Sequence, residues 1–254
     1  MRVVRDCARP RRPGAELPVG IPPTAFQQVP IHNHRMPIAR NASLSGSAPD
    51  SSKTALLILD MISDFEFEDG TRICRAALSV AKPISKLKQR ATRAGVPVIY
   101  VNDNRGRWRS DFAAQVRQSM AESSRGAAIA RLLAPGPVDY CILKPKHSAF
   151  YATVLGTLLE HLGVSRLILT GVTAHQCVLF TANDAHVRDM ELLIPRDCVA
   201  SESKASAKLA LRYFQDVLGV DVKVSARIQM PAPRKVGRGP AARHAARKRA
   251  ANRS

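Results

Sequence analysis

Short, wholly apolar runs alternate along this chain with longer segments of helical spacing, and no other feature limits its possible folds so tightly. Thr54-Ala-Leu-Leu-Ile-Leu59 is apolar almost throughout and stops at Asp60. A strand buried on both faces has this composition, whereas a half-exposed strand alternates apolar and polar residues. Similar runs occur at Val96–Val101, Tyr140–Leu143, Arg166–Thr170, Glu191–Ile194 and Val220–Val224. Helical spacing covers 71–94, 111–117, Tyr151–Leu162, Val178–Arg188 and Lys204–Val217. Pro83 is expected to kink or divide the first helix, and Gly95 and Gly163 to end theirs. Strand alternating with helix predicts an α/β domain over 54–230: three layers, α/β/α, around a six-stranded, mostly parallel, Rossmann-like sheet.

The flanking segments differ in kind. Of the formal charge of +19, much lies at the ends. Residues 1–53 hold eight basic side chains against three acidic ones, and 231–254 hold eight against none. Both are rich in Pro, Gly, Ala and Ser, and both are expected to be disordered basic tails. Such tails can attract nucleic acid, but these are nearly devoid of aromatics to stack on bases, so nucleic acid is not the expected partner. The pair His32 and His34 and the sequon at Asn41 fall in the first tail, without a pattern around them. The start Met1-Arg-Val-Val-Arg-Asp has no apolar core of a secretory signal, and no run is long enough to span a bilayer. The five cysteines are scattered without a C-x-x-C pair, which suits reduced thiols in the cytoplasm. No strand is followed by G-x-G-x-x-G or G-x-x-x-x-G-K-[ST], so the two common nucleotide loops are absent.

In open α/β sheets, ligands bind beyond the carboxyl ends of the strands, where the strand order reverses. Three chemically able residues fall at such ends: Asp60, Lys144 and Cys177. Cys177 is expected in the first turn of a helix, where the partial positive charge favours thiolate over thiol. Alone, each has an ordinary reading as a cap, a surface charge or a packed side chain. Together they suit acyl transfer. The carboxylate takes the thiol proton and returns it to a leaving amine, and the ammonium steadies both negative charges.

Leu59-Asp60-Met-Ile-Ser-Asp64-Phe65, Lys144-Pro-Lys-His-Ser148-Ala-Phe150 and Gly171-Val-Thr-Ala-His-Gln-Cys177 resemble the three signature blocks of the isochorismatase-like cysteine hydrolases. The resemblance spans about 54–228. It implies Asp60 as base, Lys144 as charged partner in preference to Lys146, and Cys177 as nucleophile. It also implies a cis peptide at Val172–Thr173 and an oxyanion hole from the backbone N–H groups of Thr173 and Cys177. The implied reaction is hydrolysis of a small amide or ureide C–N bond through a thioester, and relatives commonly form homo-oligomers. True isochorismatases generally carry glycine at the nucleophile position, so Cys177 argues against isochorismate as substrate. The metal-dependent nicotinamidases follow their second strand with Asp-x-His, whereas this chain has Asn102-Asp103-Asn104-Arg105, so no metal and no cofactor is expected. Ile62 stands where many relatives have glutamine. Phe65, Asn104, Trp108, Tyr151 and His175 are candidates to line the pocket, Phe65 and Trp108 foremost. Asp197 is expected to cap the following helix and Cys198 to pack. Two other readings are a binding or scaffold protein of the same fold that uses its basic tails, and a redox thiol protein with a low-pKa Cys177.

Overall fold

The structure, a computed structural model, describes residues 51–231 except Arg107 and Ser110. The expected tails lie almost wholly outside the described residues, as do His32, His34 and the sequon. Strand β1 (Thr54–Leu59) is buried along its whole length, as its unbroken apolar run requires. Helix α1 (Gly70–Arg93) leads to β2 (Val98–Asp103), followed by α2 (Phe112–Met120), α3 (Ala127–Leu132) and β3 (Tyr140–Lys144). Helix α4 (Leu155–Leu162) then leads to β4 (Arg166–Val172). A π-turn at Ala174–Val178 opens into α5 (Leu179–His186), and β5 (Glu191–Leu193), β6 (Val199–Ala200) and α6 (Lys204–Asp216) complete the domain.

Every strand pairing is parallel, in the order β3-β2-β1-β4-β5, with β6 also pairing β4. Strand side chains alternate between two cores, one on each face of the sheet. Ala55, Leu57 and Leu59 join α4, α5 and α6 residues such as Leu159, Ala182 and Phe214. Leu56 and Ile58 join α1 and α3 residues such as Ile84, Leu87 and Ile129. This is the expected three-layer arrangement. Full burial of each such Leu or Ile is worth about 1.5–3 kcal/mol before the entropic cost of ordering it.

Four details differ from the sequence expectation. Helix α1 runs unbroken through Pro83, because Val80, Ala81, Ile84 and Leu87 anchor both sides of the proline in the core. Helix α4 begins at Leu155 rather than Tyr151, since Thr153 turns the chain first: its hydroxyl donates to Ala149 O and accepts from Leu155 N. The sixth strand is Val199–Ala200, and the 220–224 segment contributes only an isolated bridge between Asp221 and Leu193. Asp197 accepts from the backbone N–H and hydroxyl of Ser225, while Ser203 caps α6. Cys198 is buried as expected.

From β1 the chain steps outward through β2 to β3, then returns to place β4 on the other side of β1. The strand order therefore reverses between β1 and β4, which opens a crevice above their carboxyl ends. Gly171 lets the two strands approach there. Its φ is +113°, and a Cβ would lie 2.0 Å from Leu59 O.

Candidate active site

Asp60 is the first residue beyond β1. Its N–H still donates to Val101 O at 3.0 Å, and its backbone then turns into the left-handed region at φ +54°. That turn directs its carboxylate across the end of β2. Oδ1 accepts from Asp103 N at 2.6 Å, and Oδ2 lies 2.9 Å from Lys144 Nζ. The Oδ2 contact pairs this buried oxygen with the ammonium as an ion pair.

Lys144 ends β3 in register with Asp103, and none of its side chain reaches solvent. Its ammonium lies 3.6 Å from Asp103 Oδ2 and donates to Cys177 Sγ at 3.4 Å. Burial pushes this ammonium toward deprotonation. The carboxylate of Asp60, then Cys177 and Asp103, outweigh burial and raise its pKa above the usual lysine value. Lys144 is therefore a buried, permanent cation. Lys146, by contrast, is exposed.

Cys177 lies within the π-turn rather than in the first turn of an α-helix. Val178 N reaches back five residues to Thr173 O at 3.2 Å, and Gln176 N reaches the same carbonyl at 3.1 Å. The Val172–Thr173 peptide before this turn is cis. Burial raises the Cys177 pKa most, the Asp60 carboxylate raises it further, and Lys144 opposes both without prevailing. The expected preference for thiolate is thus reversed. The resting thiol is neutral, because desolvation and the neighbouring Asp60 outweigh the attraction of the Lys144 ammonium.

These groups meet at a cavity of about 420 Å³ lined by Asp60, Cys177, Thr173, Val172, Phe65 and Phe67, among others. Of the expected pocket residues, only Phe65 lines it. Asn104 accepts from Gly106 N and borders a separate, smaller hollow. Trp108 is 77% exposed and Tyr151 is 58% exposed, and neither reaches the cavity. His175 turns away toward the start of α6, with Nδ1 2.9 Å from Ser201 Oγ and Nε2 3.6 Å from Glu202 Oε1. Ile62 packs in the core, and its backbone carbonyl accepts from the Asn102 and Gln115 side chains.

Other lining residues carried no sequence signal of their own. Arg105 donates to Asp64 and to Ser63 Oγ, and its guanidinium lies 5.0 Å from the centre of the Phe67 ring. His147 Nδ1 is 3.8 Å from Cys177 Sγ, and its ring packs 5.3 Å from that of Phe180. Gln115 comes from α2, a helix remote in sequence from every signature block. Asn102 had the best chance of being noticed, as a polar residue at the end of an otherwise apolar strand. Among the described residues, no group of three or more His, Cys, Asp or Glu side chains is placed to hold a metal ion. None of the described helices is long and apolar enough to cross a membrane.

A model of the isochorismatase domain matches residues 54–223, two thirds of the chain and all three strand-end residues. The chain belongs to the isochorismatase family. Within that family it is 40% identical over 174 residues to the uncharacterized isochorismatase family protein YaaI of Bacillus subtilis, covering 68% of this chain and 95% of that one. It is also 28% identical over 163 residues to a probable inactive nicotinamidase of Arabidopsis thaliana, covering 61% and 81%. Among solved structures, N-carbamoylsarcosine amidase from Thermoplasma acidophilum superposes with a TM-score of 0.53 at 28% identity, covering 70% of this chain and 99% of that one. Nicotinamidase PncA from Bacillus subtilis gives 0.54 at 26% identity, covering 68% and 99%. The family is one of hydrolases, and its fold here is the mostly parallel sheet these neighbours share.

Proposed function

We propose that this isochorismatase-family protein hydrolyses the C–N bond of a small amide or ureide, with Cys177 as nucleophile, Asp60 as general acid–base and Lys144 as fixed charge. The observation that carries the reading is the convergence of residues from three strand ends beside a cavity lined by Asp60 and Cys177: Lys144 Nζ, behind them, lies 2.9 Å from Asp60 Oδ2 and 3.4 Å from Cys177 Sγ. Because the thiol is neutral at rest, it needs a base only when a carbonyl is present to attack. The Asp60 carboxylate, coupled to both Lys144 and Cys177, takes that proton as the S–C bond forms. The backbone N–H groups of Thr173 and Cys177 receive the oxyanion. Asp60 then passes the proton to the departing nitrogen, leaving a thioester. Water attacks the thioester with Asp60 again as base, the acid leaves, and the proton returns to sulfur. Lys144 remains charged throughout and limits the cost of moving negative charge between Asp60 and Cys177. These groups carry the cycle without a metal.

The elevated Cys177 pKa disfavours the alternative of a redox-sensing thiol, which requires a low pKa and ready access. The test is ammonia release from a panel of primary amides and ureides by the wild type, Cys177→Ala and Asp60→Asn. Both variants are expected to lose turnover by about 10²-fold or more. Full turnover by Cys177→Ala on any hydrolysed compound would refute the mechanism.

A further inference from the structure

One stretch of the cavity wall beside the three proposed catalytic groups, from the end of β2 and from α2, is rich in acceptors. Asn102 is 1% exposed and lines the cavity. Its Nδ2 donates to Ile62 O at 2.7 Å, which fixes the orientation of the amide, and its Oδ1 is buried with no hydrogen bond. A buried acceptor without a donor is uncommon in native structures, and one on a binding cavity points to a donor supplied by the ligand. Gln115, from α2, is half-buried rather than buried, but its amide is oriented in the same sense. Its Nε2 donates to Ile62 O at 3.1 Å and to Asp103 O at 3.3 Å, so both amides spend their nitrogens on backbone carbonyls. Their oxygens are left without a donor among the described residues.

The charged groups on the wall point the same way. Asp60, Asp103 and Glu66 are carboxylates. Among the described residues one guanidinium lines the cavity, that of Arg105, and it donates to Asp64 and Ser63, so its charge is already answered by a carboxylate. Asp60 and Asp103 face Lys144 and Glu66 meets Arg125, so among the described residues a carboxylate-bearing ligand would find acceptors but no lining Lys or Arg side chain without an anionic partner. A compound rich in N–H groups would meet partners. Phe65, Phe67, Ile73 and Val172 leave room on the same cavity for an apolar substituent.

We propose that the cavity selects an uncharged, N–H-rich carbonyl compound, a ureide in preference to a carboxylate-bearing amide, and that Asn102 Oδ1 and Gln115 Oε1 read its N–H groups. The proposal rests on the preceding reading for its site, and it deepens that reading by naming the substrate class and two specificity residues.

The experiment uses the full chain carrying Cys177→Ala, so that binding is measured without turnover. The probes are n-butylurea, N-methyl-N-butylurea, which lacks the substituted N–H, and pentanoate. Calorimetry is expected to show n-butylurea bound about tenfold more tightly than its N-methylated analogue, and pentanoate not bound. Adding Asn102→Leu or Gln115→Met should bring the two ureas to within about twofold of each other, since the acceptor that told them apart is gone. This ratio compares two ligands on one protein, so a general loosening of the site from the lost Ile62 contact leaves it unchanged. Retention of the full preference in both variants overturns the proposal. So does pentanoate binding as tightly as n-butylurea, or no binding of n-butylurea at millimolar concentration. The catalytic reading fails separately, through turnover that survives Cys177→Ala, and that result leaves the binding preference intact.

Discussion

Replacing Lys144 by methionine should be among the most damaging single changes available to this protein, and the reason can be quantified. Lys144 is wholly buried, and the Asp60 side chain it meets at 2.9 Å is 16% exposed. Methionine fills most of the lysine volume, so little of the loss comes from a cavity. The damage comes from leaving the Asp60 carboxylate buried without its cation. Removing one member of a buried pair typically costs about 3–5 kcal/mol. For a domain of this size that corresponds to a fall in Tm of about 6–20 °C. The double variant Asp60→Asn/Lys144→Met leaves neither charge stranded and should recover at least half of the loss, although it is equally inactive. The pH dependence has a definite sign. The folded-state pKa of Lys144 is raised, so its contribution is fully present below the unfolded lysine value and is lost as pH rises through the folded value. On the alkaline side, the stability gap between wild type and Lys144→Met should therefore persist above neutral pH and close under strongly alkaline conditions. Urea unfolding followed by circular dichroism measures all three proteins. A Lys144→Met midpoint indistinguishable from wild type, or a double variant no more stable than the single, would refute the buried-pair argument.

Other consequences can be checked independently. Because burial and then the Asp60 carboxylate raise the Cys177 pKa, iodoacetamide should modify this thiol more slowly at neutral pH than a free cysteine of pKa about 8.5, by mass spectrometry of its peptide. Asp60→Asn should speed that alkylation while abolishing turnover, and slower alkylation would contradict the assigned electrostatics. Gly171→Ala should cost about 2–5 kcal/mol in denaturant unfolding, since the new methyl group would meet Leu59 O and the residue sits at positive φ. Trp108→Ala should leave KM within about twofold of wild type, because its ring lies outside the cavity, whereas Phe67→Ala should raise KM by about tenfold through loss of apolar wall.

The parts legible in the sequence were those fixed by local chemistry. An apolar run of six residues bounded by polar ones is too short for most helices and suits a doubly buried strand, so β1 was placed to the residue, and β3 and β4 began where expected. Asp60, Lys144 and Cys177 were found because strand ends are topologically equivalent and few residue types there can do chemistry. What escaped depended on partners distant in the chain. The two-residue strand β6 exists only because the end of β4 has an open edge to receive it. Helix α3 is six residues long, too short for a periodic signal. Asn102 and Gln115 are functional candidates because of the carbonyls their nitrogens happen to meet, which no spacing rule reveals. The Cys177 pKa went the other way from expectation because local position suggested a helix end, while the deciding influences were depth of burial and a carboxylate from another strand.

The left-handed backbone at Asp60 has a practical bearing on how its role can be probed. Aspartate and asparagine tolerate positive φ better than most residues, and glycine adopts it freely. Alanine or glutamate at this position would disturb the corner between β1 and the cavity as well as altering the functional group. Lost activity in Asp60→Ala would therefore mix geometry with proton transfer. Asp60→Asn keeps the corner and removes the base together with the charge opposite Lys144, so its kinetics, read alongside its stability, report on chemistry rather than on backbone geometry.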